Sequence, residues 1–193
     1  MAEKSLHGTQ TEKNLLAAFA GESQARNRYT YFASVARNEG FIQIMNIFQD
    51  TAENEKEHAK LFFKHLPGGE AEITASYPSG KIGDTKTNLE AAAAGEKMEW
   101  TMLYSHFAQI AKDEGFPAVA KTFEQVAKVE KFHESRYRKL IENISAQEVF
   151  HKKKTVKWHC INCGFVYEGP DAVKECPVCK HPQAHFEVLA ENY

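Results

Sequence analysis

The chain has 193 residues, 42% of them hydrophobic, which suffices for one helical bundle and a small second module. Its formal net charge of −2 argues against a general nucleic-acid binder, and no apolar run approaches the length of a membrane span. The polar start Met1-Ala2-Glu3-Lys4 does not read as a signal peptide, so a reducing, cytoplasmic setting is expected.

Four helical segments are predicted in order. The first opens on a Thr9/Glu12 capping box, carries Leu15, Phe19, Glu22, Arg26, Tyr29 and Ala33 in one phase, and stops at Gly40. The second follows almost at once, with the stripe Phe41, Ile44, Phe48, Thr51, Glu55, His58, Phe62. Residues 67–86, with Pro67-Gly68-Gly69 and Pro78, read as one long crossover. The third segment is expected to be capped by Thr87 with Glu90, to present Leu89, Ala92, Glu96, Glu99, Leu103, His106 and Ile110 on one face, and to stop at Gly115. The fourth alternates three and four through Val119, Phe123, Val126, Glu130, His133, Tyr137, Leu140 and Ile144. The tight turns make two antiparallel hairpins, and one crossover between hairpins is the ferritin-like arrangement of a four-helix bundle.

Where ordinary helices would place Leu or Ile, these stripes place Glu22, Glu55, His58, Glu96, Glu99, Glu130 and His133. A lone Glu on a helix is ordinarily solvated, but five in register are not. Each buried ion carries an effective desolvation penalty on the order of several kcal/mol, so something cationic must sit among them. Five carboxylates bring a formal charge of −5 and two divalent ions return +4, which nearly neutralises the pocket without any Lys or Arg. Glu55-x-x-His58 and Glu130-x-x-His133 each put a carboxylate and an imidazole on one helix face, which points to a dinuclear metal centre.

The halves also look like copies of each other. Ala20-Gly21-Glu22 answers Ala94-Gly95-Glu96, and the interval from Glu22 to Glu55 nearly equals that from Glu96 to Glu130. Glu99 falls opposite Ala25 and is the surplus ligand, which lets one ion change ligands as its charge changes and suggests redox work. Tyr29, two turns beyond Glu22, and Tyr104, about a turn and a half beyond Glu99, stand where a phenol hydrogen-bonds a ligand or a bound oxygen species, or else fills the core. His7, His65, His106, His151, His159, His181 and His185 are read as structural or exposed.

All four cysteines lie near the end, as Cys160-x-x-Cys163 and Cys176-x-x-Cys179. Two such hooks select zinc or iron; paired disulfides are the alternative. Trp158, Phe165, Tyr167 and Phe186 supply an aromatic core for a domain too small to fold without its metal. Lys152-Lys153-Lys154 with Lys157 marks the junction, as a solvated linker or a dock for an acidic redox partner. Domains are set at 1–148 and 149–193.

From Thr11-Glu12-Lys13-Asn14-Leu15 through Ala20-Gly21-Glu22-Ser23-Gln24-Ala25-Arg26-Asn27 to His181-Pro182-x-Ala184-His185-Phe186-Glu187, the whole chain resembles the rubrerythrin family. The resemblance implies a mainly α protein, a ferritin-like four-helix bundle with a non-haem di-iron centre and a small C-terminal rubredoxin-like, β-rich domain holding one iron. It implies that Glu22, Glu55, Glu96, Glu99, Glu130, His58 and His133 bind the two irons, with Glu55 and Glu130 bridging and His58 and Glu99 as alternatives at one of them. Cys160, Cys163, Cys176 and Cys179 would bind the single iron, with Gly164, Tyr167 and Pro177 matching the rubredoxin patterns C-x-x-C-G-x-x-Y and C-P-x-C. Lys180 departs from them, because a free-standing rubredoxin has Gly after its last cysteine, and the loop between hooks is much shorter. The implied activity is peroxidase: hydrogen peroxide takes two electrons from the di-iron centre and becomes water, and the four-cysteine iron refills the centre. No G-x-G-x-x-G fingerprint exists in the chain, so electrons must come from a separate rubredoxin or flavoprotein reductase, to which any NADH dependence belongs. A homo-oligomer, dimer or tetramer, is implied, with one subunit's four-cysteine iron facing another's di-iron centre. The alternatives are a storage-type ferroxidase, which has no use for an electron-input domain, and a zinc-organised interaction module, which would leave the bundle without an electron source.

Overall fold

The computed structural model describes residues 5–192; Met1 to Lys4, on which the expectation about the leader rests, lie outside the described residues. Helix α1 (Gln10–Asn38) begins where Thr9 accepts a hydrogen bond from Glu12 N. The return bond comes from Gly8 N to Glu12 Oε2 at 2.7 Å, one residue earlier than in a standard capping box. Gly40 ends α1 at φ +83°, with Phe41 N bonding Ala36 O at 2.8 Å, and helix α2 (Ile42–Phe63) starts directly after it. Gly115 repeats the device at φ +78°, with Phe116 N on Ala111 O at 2.7 Å, before helix α5 (Pro117–Ser145). Only a residue without a Cβ takes this left-handed position at no steric cost.

The third helix departs from the sequence expectation twice. Its cap is Asp84, not Thr87: Asp84 Oδ1 accepts from Thr87 N at 2.8 Å, and helix α3 (Thr85–Met98) starts three residues earlier than a Thr87 cap implies. Asp outranks Thr as a cap, and Glu39 Oε2, from the end of α1, accepts Thr85 N as well. The second departure is a π-helical turn, Glu99–Leu103, between α3 and helix α4 (Tyr104–Asp113). Gly40 follows Glu22 by 18 positions but Gly115 follows Glu96 by 19, whereas Gly40 to Glu55 and Gly115 to Glu130 are both 15. The repeat therefore holds one extra residue in its third helix, and a π turn accommodates it. Beyond the turn the buried face is Tyr104, Phe107, Ala108 and Ala111, while His106 is exposed and Ile110 only half-buried, which corrects the expected stripe. Ser105 Oγ and Thr101 Oγ1 bond the Trp100 and Lys97 carbonyls, supporting the irregular stretch.

The α1/α2 and α3–α4/α5 hairpins close around a polar layer held between two apolar plugs. One, toward Gly40, contains Tyr29, Phe32, Ile44, Phe48, Leu89 and Tyr137; the other contains Leu15, Phe62, Tyr104, Phe107, Phe123 and Val126. Water is thus excluded from both ends of the layer. The crossover is tied down by Tyr77, whose hydroxyl donates to Ala17 O at 2.7 Å while its ring passes 3.5 Å from where a Cβ on Gly21 would stand. Among the described residues no helix is long and apolar enough to cross a membrane.

The C-terminal module is an antiparallel sheet of order β2-β1-β3, with β1 His151–Cys160, β2 Val166–Asp171 and β3 Phe186–Val188. Trp158, Cys160, Ala172, Cys176 and Phe186 form its core, with Phe165 and Tyr167 against it. It rests on the Gly40 end of the bundle, where Phe150 stacks on Phe41 with ring centroids 6.2 Å apart.

Candidate metal centres

Six of the seven predicted bundle residues meet in two overlapping groups, Glu22/Glu55/His58/Glu130 and Glu55/Glu96/Glu130/His133, and both groups are buried. Each shared glutamate sends one oxygen to each imidazole. His58 Nδ1 lies 2.8 Å from Glu55 Oε2 and 2.9 Å from Glu130 Oε1; His133 Nδ1 lies 3.2 Å from Glu55 Oε1 and 2.9 Å from Glu130 Oε2. Glu55 and Glu130 are thus the two residues that the groups share. Glu99 belongs to neither group; it is buried in the π turn beside them.

A test of fit is whether the polar atoms are satisfied without an ion, and they are not. Glu22 Oε2, Glu55 Oε1, Glu96 Oε2, both Glu130 oxygens and His133 Nδ1 are buried and make no aligned hydrogen bond, the close imidazole–carboxylate approaches among them included. Burial and then neighbouring carboxylates push Glu22, Glu99 and Glu130 well above the ordinary carboxylate range, and Glu96 above it. Burial disfavours charge on His133 too, but Glu130, Glu55 and Glu96 outweigh it and raise the imidazole to about 11. A donor set this anionic and this dry fits divalent cations.

The same shifts set the pH response of the metal-free chain. A carboxyl raised by folding stabilises most below its unfolded pKa of about 4.3, and that stability is lost as pH rises through the folded value. His133 has the same sign: its contribution is full below about 6.5 and is lost on passing about 11. Metal-free protein is therefore expected to melt higher at about pH 5 than at about pH 8, and metal-loaded protein to do the reverse, since ligands bind deprotonated. A metal-free melting temperature that climbs with pH would contradict this account.

Both predicted tyrosines reach the ligands, and they do so crosswise. Tyr29 donates to Glu96 Oε1 at 2.5 Å and Tyr104 donates to Glu22 Oε1, so each hydroxyl serves a glutamate of the opposite half. Tyr29 follows Glu22 by seven positions and Tyr104 follows Glu96 by eight, the π-turn residue making the difference. Three features escaped the sequence reading. Arg28 acts on Glu99 and lowers its pKa against the dominant effects of burial and the other carboxylates, so the pocket has a cationic neighbour after all. Asn54 Oδ1 lies 3.1 Å from His133 Nε2. A cavity of about 240 Å³ roofed by residues 75–78 reaches Glu99 and Tyr104. Arg26, which shares the α1 stripe, turns outward to Glu53 at 3.4 Å; His65 bonds Thr122 at 2.8 Å.

The four cysteines converge as free thiols, with Sγ to Sγ distances of 3.7 Å for Cys160–Cys179 and 3.6 Å for Cys163–Cys176. A tetrahedral ion with bonds of about 2.3 Å to sulfur sets its ligands about 3.8 Å apart, so the cradle fits. Each hook is a turn in which the residue after its second cysteine bonds back to the first: Gly164 N to Cys160 O at 2.8 Å and Lys180 N to Cys176 O at 3.0 Å. Lys180 takes the left-handed conformation, φ +61°, that glycine would take without strain.

The family model for rubrerythrin matches residues 13–141, and that for the rubrerythrin rubredoxin-like domain matches residues 158–187. Rubrerythrin of Porphyromonas gingivalis is 56% identical over 190 residues, covering 98% of this chain and 95% of that one. The chain belongs to the rubrerythrin family. Rubrerythrin of Nitratidesulfovibrio vulgaris is 52% identical over 190 residues, covering 98% of this chain and all of its own. Among solved structures, fully reduced, all-ferrous nigerythrin matches with TM-score 0.63 and 31% identity over 97% of this chain and 90% of its own. This rubrerythrin-family chain is a peroxide-related iron protein, with a di-iron ferritin-like site in the bundle and a four-cysteine rubredoxin-like iron site after it.

Proposed function

We propose that the chain is a non-haem di-iron peroxidase that reduces hydrogen peroxide to water in oxidative-stress protection, H2O2 taking two electrons and two protons. The observation that carries this reading is Glu99: a fifth buried carboxylate, on a π turn, outside two groups that already have four donors each. Glu22, Glu55, His58, Glu96, Glu130 and His133 would hold two irons, Glu99 would exchange with His58 at one of them, and Cys160, Cys163, Cys176 and Cys179 would hold the third. Bound iron supplies Lewis acidity and the two electrons. The chain's own residues do the rest. The two apolar plugs exclude bulk water, the cavity beneath residues 75–78 admits a small oxidant, and the Tyr29 and Tyr104 hydroxyls keep protons beside Glu96 and Glu22. Burial and the adjacent glutamates hold both phenols well above their usual pKa, which supports hydrogen-bond donation over phenolate chemistry.

The four-cysteine module is the proposed electron input, refilled by an external rubredoxin or flavoprotein reductase in the cytoplasm. The division at 1–148 and 149–193 belongs to this reading, supported by α5 ending at Ser145 and β1 starting at His151. Gly40, where the module rests, stands 18 residues beyond Glu22, about 27 Å along the helix. So long an internal path favours delivery between copies of the chain, in a dimer or tetramer.

Stopped-flow oxidation of the fully reduced protein tests the reading. Peroxide is expected to reoxidise it much faster than oxygen does; comparable rates would remove the peroxidase assignment.

A further inference from the structure

The two imidazoles share their carboxylates but not their surroundings. His133 is 1% exposed, and its Nε2 lies 3.1 Å from Asn54 Oδ1 on the facing helix. His58 is 7% exposed, and among the described residues its contacts run through Nδ1 to Glu55 and Glu130, with no partner at Nε2. The difference is written in the repeat. Asn54 directly precedes Glu55; the corresponding position before Glu130 is Val129, which has no side-chain acceptor. The halves thus differ at two paired positions near the site, Ala25/Glu99 and Asn54/Val129.

Both differences favour the same metal position for exchange. Each imidazole aims Nδ1 into the carboxylate cluster, so an ion bound there leaves the proton on Nε2. An acceptor facing Nε2–H fixes both the tautomer and the plane of the ring; without one, the ring is held by its metal bond and packing alone. Asn54 supplies that acceptor to His133. Glu99, the carboxylate that lacks a counterpart, lines the same cavity as Tyr104, whose hydroxyl bonds Glu22 in the His58 group. The unrestrained imidazole and the spare carboxylate therefore lie on the same side of the site.

We infer that Asn54 is a positioning residue that makes His133 the permanent imidazole ligand, and that Val129 leaves His58 free to depart, so these two positions choose which metal exchanges its ligand. The inference rests on the ligand set proposed above. It concerns the proton on Nε2, which can be observed without turnover.

The test is proton NMR of the full-length protein loaded with cobalt(II), in which metal-bound imidazoles give exchangeable N–H resonances shifted far from the diamagnetic envelope. Two such resonances are expected, one exchanging slowly with solvent (His133) and one quickly (His58). Asn54→Leu should speed the slow exchange by about tenfold or more and weaken retention of one cobalt by a factor within the roughly 10–100-fold range of outer-shell losses. Asn54→Asp, which keeps an acceptor, should restore slow exchange. Val129→Asn should slow the fast resonance. Unchanged exchange in Asn54→Leu overturns the role of Asn54, and a still-fast second resonance in Val129→Asn overturns that of Val129. If the wild-type protein shows no shifted exchangeable resonance at all, the ligand assignment itself fails. Asn54 is half-buried and belongs to neither apolar plug, so its substitution leaves both intact.

Discussion

Glu99→Ala protein is expected to bind two irons in its bundle and yet to lose peroxide turnover by more than about tenfold, a loss at least as large as those that follow removal of an outer-shell partner. The two groups of four donors do not include Glu99, so loading survives its loss. What disappears is the anionic alternative to His58. A ferric ion, harder and more highly charged than a ferrous one, gains more from a carboxylate than from a neutral imidazole. Structures of oxidised and reduced wild type should therefore differ at one iron, and those of Glu99→Ala at neither. The substitution also removes one of the carboxylates that raise the Glu22 pKa, so the metal-free variant should melt above metal-free wild type near neutral pH. Wild-type turnover in this variant would contradict the exchange, and identical iron positions in both redox states of the parent would remove its structural basis.

Much of this site was legible because a buried glutamate is so costly that only a strong compensating interaction keeps five of them in phase with Phe and Val. The stripes are buried as expected from Ile44 to Phe62 in α2 and from Val119 to Leu140 in α5, Glu55, His58, Glu130 and His133 included, with Phe41 and Ile144 half-buried at their ends, and the stops at Gly40 and Gly115 fall where expected. The part of the site that the stripes do not show has more than one physical cause. Hydrophobic phase assumes a constant helical repeat, and a π turn breaks it, so the face assigned beyond Glu99 was rotated and His106 was placed where Tyr104 and Phe107 belong. The clue was present as one residue's difference between otherwise matching intervals. Asn54 and Arg28 were missed for another reason: each works across a helix boundary on a residue distant in sequence, and no spacing rule within one helix detects that. Asp84 was passed over because a Thr-x-x-Glu pattern three residues later satisfies the same rule, while the deciding partner, Glu39, comes from another helix.

Cys160→Ser is expected to leave the bundle standing and to abolish turnover driven by an external reductase. Cys160 is fully buried in the module core and serves one corner of the four-sulfur cradle. Serine offers a harder, poorly ionised donor there, so the module should lose its iron, its red ferric absorbance and much of its order, since so small a domain depends on its metal. The bundle keeps both apolar plugs and its ligands, so far-ultraviolet circular dichroism should keep its helical amplitude. A chemically reduced sample should still be oxidised by peroxide once, because that step needs only electrons already in the bundle. Steady-state turnover should fall by more than about a hundredfold, exceeding the loss of an outer-shell partner; retained reductase-driven turnover would show that electrons bypass the module. A mixture assembled from Cys160→Ser and Glu99→Ala chains then separates the two electron routes. If electrons pass between copies, the intact module of the Glu99→Ala chain serves the intact bundle of the Cys160→Ser chain and part of the activity returns. If they pass only within one chain, each chain lacks one essential part and the mixture does not rise above the residual turnover of the two variants measured separately.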